Sequence, residues 1–384
     1  MITIDHDFYR NLVRIAITLL LLGSLAGCGQ PLNTMYRTGP THTGVYADQT
    51  GISQNPKIKW QYDLGASTRS SPVIKGDTLY ICDDKGNIHA LNKTSGELKW
   101  LYEGTHAIVS TPVADHSKLT FGSIDGHIYS LYQAHRKTHF KINTGAPVQA
   151  SGILVRWKFD EGAISKEKEV FLIGSTNGRF YAIDHHRGRI LWQFQAKGAI
   201  TATPAVADGM VFFGTHKSMF YALQLESGKP VWQVQTSGAI EKAAAIISDR
   251  IYFGSNDRHL YELDRFNGKL LWKYEFHDAV KSTPTITRNT VYVGVMDGTL
   301  YAIEHYRRRI VWRFHTGDWV NLSPILADNT LYFASYDRFL YAAQADTGME
   351  IFRFRADAPI AKTLNLHDGS IYFSSINGKV YAIE

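Results

Sequence analysis

Aromatic rings recur along this chain on a fixed grid: Trp60, Trp100, Trp192, Trp232, Trp272 and Trp312, completed by Phe140 and Phe352. Every step is 40 residues except Phe140 to Trp192, which is 52, so one insertion of 12 residues explains the irregularity. A fixed period of this length marks a structural repeat whose units bury their apolar faces against one another. The segment RWKFDEGAISKEKE, residues 156–169, is the expected site of the insertion.

Within each period the order of segments is constant. A small and polar strand (SSPVI, STPVA, TATPAV, KSTPTI) precedes an aromatic one (TLYICD, MVFFGT, RIYFGS, TVYVGV). A third strand follows (NIHALN, HIYSLY, RFYAID, TLYAIE), and then a fourth that carries the ring (ELKWLYE, RILWQFQ, KLLWKYE). Short alternating runs bounded by Gly, Asn and Asp are the pattern of strands. No stretch beyond the N-terminal apolar run shows a convincing helical period. Asp125-Gly126, Asn177-Gly178, Asp297-Gly298 and Asn377-Gly378 separate second from third strands and supply the positive φ of a tight hairpin.

Four antiparallel strands in each of eight periods predict an all-β fold, an eight-bladed β-propeller forming a single domain over residues 57–384. The last period stops after its third strand, KVYAIE, whereas the ring strand KIKWQY around Trp60 precedes any complete repeat. The N-terminal strand is therefore expected to complete the last blade and fasten the ring.

With 44% hydrophobic and 12% aromatic residues and 32 glycines, the chain reads as folded and turn-rich. Its formal charge of +6 is spread over the whole length and does not indicate nucleic-acid binding.

Arg10 and Arg14 precede an apolar run from Ile15 to Leu22 that is too short to span a bilayer, and Leu25-Ala26-Gly27-Cys28 follows. This tetrad resembles the lipobox of bacterial lipoproteins. It implies a signal peptide at 1–27, a palmitate-bearing Cys28, and a linker over 28–56. Gly29 stands where an aspartate is associated with inner-membrane retention, which implies an outer-membrane anchor facing the periplasm. Cys82 is the only other cysteine, so a lipidated Cys28 leaves no intrachain disulfide.

The segment AIDHHRGRILW (182–192), with ALQLESGKPVW, ELDRFNGKLLW and ALNKTSGELKW, resembles the A-x-D-x-x-T-G-x-x-x-W docking repeat of pyrroloquinoline-quinone-like (PQQ-like) propellers. The lead-in MYRTGPTHTGVY (35–46) is similar to the segment before the first blade of such proteins. The resemblance covers residues 35–384 and implies the propeller. For function it implies two branches, quinoprotein dehydrogenases that bind PQQ and non-catalytic lipoproteins of the BamB type, which belong to the outer-membrane β-barrel assembly machinery. Dehydrogenases of this kind carry adjacent cysteines or a C-x-x-C-H haem site, and neither is present. The expectation is a non-catalytic, monomeric scaffold with a periplasmic or outer-membrane protein partner and no cofactor, PQQ being the alternative ligand.

The eight grid rings are expected to dock neighbouring blades, because they sit on outer strands that share no common point. Asp125, Asp257, Asp297 and Asp337 recur at one hairpin corner of different blades and are expected to serve the turns. Cys82 falls in a column otherwise held by glycine, alanine and serine, which suggests close packing.

One column, at the start of the innermost strands, is diverse and polar: Arg69, Val109, Gln149, Thr201, Glu241, Lys281, Asn321 and Ala361. With Lys242 and Lys362 one position on, it is the candidate ligand site at a mouth of the central channel, with Glu241 and Lys281 as possible mutual partners. Trp319 lies beside it as a candidate stacking surface. Trp157, expected as an exposed aromatic in the insertion, and Arg307, Arg308 and Arg309, in a turn where sister blades have glycine, are candidate partner contacts.

Overall fold

The computed structural model describes residues 39–52, 55–161 and 164–384, with backbone alone at 159–161 and 164–166. The expected signal peptide and Cys28 lie outside the described residues. The chain forms eight four-stranded antiparallel sheets, each built from four strands in sequence order except the last. The fold is the expected eight-bladed propeller.

Blade 4 shows the pattern. Its innermost strand is Ala205–Ala207, followed outward by Met210–Gly214, Met219–Gln224 and Pro230–Gln235. Ala222 of the third strand lies opposite Trp232 of the fourth, and a bulge follows at Ala222/Leu223. The same pairing sets Trp60 opposite Ala382, Trp192 opposite Ala182 and Trp312 opposite Ala302. In blade 5 the small residue is replaced by Glu262, fully buried opposite Trp272 and held by the Arg250 guanidinium.

The last blade confirms the closure read from the sequence. Its fourth strand is Ile58–Asp63, which pairs with Lys379–Ile383, Trp60 opposite Ala382 and Tyr62 opposite Val380. Lys57 and Glu384 exchange both backbone hydrogen bonds at 2.8 and 2.9 Å, so the two ends of the propeller sequence meet inside one sheet.

The insertion lengthens one hairpin of blade 3. Its first two strands are Ile153–Glu161 and Ile164–Gly174, of 9 and 11 residues, against 3 and 5 in blade 4.

The core lies between blades rather than within them. Phe220 of blade 4 stacks on Phe253 of blade 5 with centroids 4.1 Å apart, and Phe180 of blade 3 on Phe213 of blade 4 at 4.4 Å. Close approach explains the small-residue column: a Cβ on Gly214 would lie 2.2 Å from Ile240 of the next blade. Cys82 occupies this column fully buried, and burial pushes its thiol pKa up, so it is a packing residue.

Four of the grid rings bond to the next blade. The indoles of Trp60, Trp192, Trp232 and Trp312 each donate to a carbonyl of the next blade at 2.8–2.9 Å, at Lys93, Leu225, Arg265 and Ala345. Trp60, Phe140 and Phe352 are buried, while the other five rings are half-buried. Trp100 and Trp272 lack the docking bond among the described residues. They are the two rings whose next blade carries arginine, Arg136 or Arg308, at the left-handed turn position that is glycine elsewhere. The Arg136 guanidinium instead lies over the Trp100 ring, 5.9 Å from its centroid.

Candidate functional site: the central channel

Innermost strands are edge strands, whose inward N–H groups need partners. Residues 39–52, expected to belong to a linker, supply them in blades 4 to 7. The carbonyls of Pro40, Thr41, Thr43 and Gly44 accept from Val206, Ile246, Ile286 and Leu326, one residue in each of blades 4 to 7, at 2.7–3.0 Å. Val45 bridges Leu326 in parallel. His42 is fully buried, with Nε2 2.8 Å from the Pro204 carbonyl, and Tyr46 and Ile52 join the core of blades 7 and 8.

The polar column gathers only in part. Thr201, Glu241, Lys242, Asn321 and Lys362 line one small, solvent-open funnel. Glu241 accepts from Asn256 Nδ2 at 2.9 Å and lies 3.4 Å from Lys281 Nζ, the expected pairing. Burial works against its charge, but Asn256 and Lys281 hold the carboxyl below the ordinary range. Lys362 of blade 8 donates to the Val109 carbonyl of blade 2 at 3.0 Å. Burial, then the charge of Lys242, brings its pKa down to about 7.

Other members of the column are placed differently. Arg69 is exposed and turned to Asp84 at 3.1 Å, and Gln149 is exposed outside the funnel lining. Trp319 is 46% exposed and packs on Tyr336, centroids 5.6 Å apart, so it does not floor the funnel.

Trp157 is not the exposed aromatic expected. It is half-buried, and its ring reaches the position a Cβ on Gly209 would occupy, at 2.8 Å, so it packs on the neighbouring blade. Arg307 and Arg309 are exposed and share Glu304 at 3.6 and 3.0 Å. Arg308 takes the left-handed conformation, φ 55°, that its sisters give to glycine. The hairpin acids serve their turns. Asp125, Asp257, Asp297 and Asp337 each accept a tyrosine hydroxyl four residues on, at 2.6–2.7 Å.

PQQ is a planar tricarboxylate, which calls for cations and a ring to stack on. The funnel offers Lys242 and Lys362, but no aromatic side chain lines it among the described residues. This set does not fit the cofactor. The lead-in and His42 were not singled out from the sequence as channel residues.

The repeat family described as outer membrane protein assembly factor BamB matches residues 51–141, 138–255, 242–326 and 310–384. The chain belongs to this PQQ-like BamB family. BamB of Yersinia pestis is 24% identical over 198 residues, 44% of this chain and 49% of that protein. A tetrathionate hydrolase of Acidithiobacillus ferrooxidans is 25% identical over 189 residues, 44% of this chain and 36% of that protein. The matches thus span about half the length of these curated relatives, or less. BamB from Moraxella catarrhalis has a similar structure, with TM-score 0.72 and 16% identity over 86% of this chain and all of that one, 100%. A quinohemoprotein alcohol dehydrogenase from Comamonas testosteroni shares the fold with TM-score 0.74 and 14% identity, over 99% of this chain and 82% of that one. Both structural likenesses speak to fold alone.

Proposed function

We propose that this BamB-family propeller is a non-catalytic scaffold, lipid-anchored through Cys28 on the periplasmic face of the outer membrane, that binds a protein partner in the assembly of outer-membrane β-barrels. The observation that carries this reading is the family match, which runs through every blade from residue 51 to 384. The funnel supports it, since two of its charged groups are engaged, Glu241 with Lys281 and Lys362 with the Val109 carbonyl. The exposed turn of Arg307, Arg308 and Arg309 is the proposed contact, suited to an acidic partner surface.

The test is crosslinking and affinity purification from membranes. Wild type is expected to recover an outer-membrane assembly protein and the triple substitution of Arg307, Arg308 and Arg309 to Ser much less of it. Equal recovery would exclude that turn, and no recovery of such a protein would exclude the scaffold reading. The lysines of the funnel favour a second reading, a small anionic ligand that needs no stacking ring. Stoichiometric PQQ binding with a quinone absorbance would overturn the scaffold reading.

A further inference from the structure

We propose that Asp115, Glu169 and His185 form a site for a divalent transition-metal ion, of the zinc class, at the junction of blades 2 and 3. The three come from separate segments. Asp115 lies in the turn between the first two strands of blade 2, Glu169 on the second strand of blade 3, and His185 in the turn after its third. Their donor atoms all lie within 4.8 Å of one another, the one such grouping of His, Cys, Asp and Glu among the described residues.

The backbone fixes the arrangement. Asp115 Oδ1 accepts the amides of Ser117 and Lys118, both at 2.6 Å, which turns Oδ2 toward His185. The His185 amide donates to the Glu169 carbonyl at 2.9 Å.

His185 is what points to an ion. It is 1% exposed, and its Nδ1 is sealed from solvent without a hydrogen-bond partner. The nearest groups are Asp115 Oδ2 at 3.4 Å and Glu169 Oε2 at 3.8 Å, neither in hydrogen-bonding geometry. Its other nitrogen, Nε2, is 2.8 Å from Thr120 Oγ1, and that hydroxyl donates to Ser130 at 3.0 Å. With Nε2 held by Thr120, Nδ1 is the ring atom left facing the two carboxylates. A cation placed between the three donors would engage Nδ1 and both carboxylates at once.

An imidazole and two carboxylates suit zinc and its neighbours, with bonds of about 2.0–2.2 Å. Ligands around such an ion are spaced by about 3–3.5 Å. The Asp115–His185 separation already meets this, and a small rotation of the half-buried Glu169 side chain brings in the third donor. Thr120 on Nε2 and the amides on Asp115 supply the outer hydrogen bonds that orient metal ligands. Arg156 takes the other Glu169 oxygen, Oε1, at 3.4 Å.

The junction is also one that lacks the indole docking bond among the described residues. Phe140 occupies the docking column there and has no indole N–H, and the His185 carbonyl is met by Lys118 Nζ at 3.3 Å. A bound ion would join the same two blades by another means.

The full-length chain, stripped with chelator, is titrated with Co²⁺ alone. One equivalent is expected to bind with visible d–d absorbance, to be displaced by Zn²⁺, and to raise the melting temperature. Glu169→Gln and Asp115→Asn should each weaken Co²⁺ binding roughly tenfold or more, and His185→Gln should abolish it. If His185→Gln does not fold, Glu169→Gln decides, since that side chain is only half-buried. Absence of Co²⁺ binding would overturn the site, and so would binding indifferent to Glu169→Gln and Asp115→Asn, given 16 histidines in the chain. A His185 protonated on both nitrogens in NMR, with no metal bound, would show a salt bridge in its place.

Discussion

The six-membered ring of Trp312 lies where a side chain on Gly348 would begin: a Cβ there would be 2.7 Å from Trp312 Cδ2, in a backbone conformation with φ 72°. The glycine of the docking repeat thus serves the tryptophan of the preceding blade as well as its own turn. Gly348→Ala should combine left-handed strain with a clash and cost about 2 kcal/mol or more, measured by urea unfolding. At the corresponding position of blade 6, Arg308→Gly should leave stability within about 1 kcal/mol of wild type, since strain relieved and unfolded-state entropy gained oppose each other.

The rings are not equivalent. Trp232 donates to the Arg265 carbonyl at 2.9 Å, and Trp272 has no such bond among the described residues. Trp232→Ala is expected to cost roughly 3 kcal/mol and Trp272→Ala about 1 kcal/mol less. Equal losses would show that ring packing alone holds the blades.

The lead-in should be separable from the ring it lines. Deleting residues 39–46 removes the acceptors for Val206, Ile246, Ile286 and Leu326. Hydrogen exchange is expected to accelerate at those four amides and much less in blade 1. By contrast, deletion of 57–62 should lower the stability of the whole propeller, because it strips the strand paired with residues 379–383.

Lys362 provides a pH dependence of defined sign. Its pKa falls from 10.5 to about 7 in the folded chain, through burial first and Lys242 second. Between these values the unfolded chain binds a proton that the folded chain does not, so stability rises with pH from about 7 toward 10.5. Below about 7 both states are protonated and the penalty is fully present. The slope in thermal or urea melts should approach, and not exceed, about 1.4 kcal/mol per pH unit. In Lys362→Met this contribution should vanish.

What could be read from the sequence was whatever repeats. The grid, the hairpin glycines and the unmatched Trp60 strand follow from a period of 40 residues, and even Glu241 with Lys281 is a pair one period apart. What could not be read depends on contacts without period. His42 meets Pro204, 162 residues away, and PTHTG has no alternation to betray a channel segment. Trp157 looked like an exposed ring because the insertion has no sister, and only the shape of the next hairpin at Gly209 places it on a neighbour. The polar column divided for a similar reason: Arg69 turns to Asp84, a choice made by local charge.

The sheet that joins Trp60 to Ala382 also sets the timing of folding. A chain that emerges N-terminus first must hold its first propeller strand without a partner until the final residues arrive. During that interval residues 58–63 are an open edge, able to pair with other chains. Closure over so long a loop makes the final step slow relative to the formation of each blade hairpin. For a protein of this architecture the vulnerable period is its own synthesis, and circular relocation of the Trp60 strand to the C-terminus should shorten it.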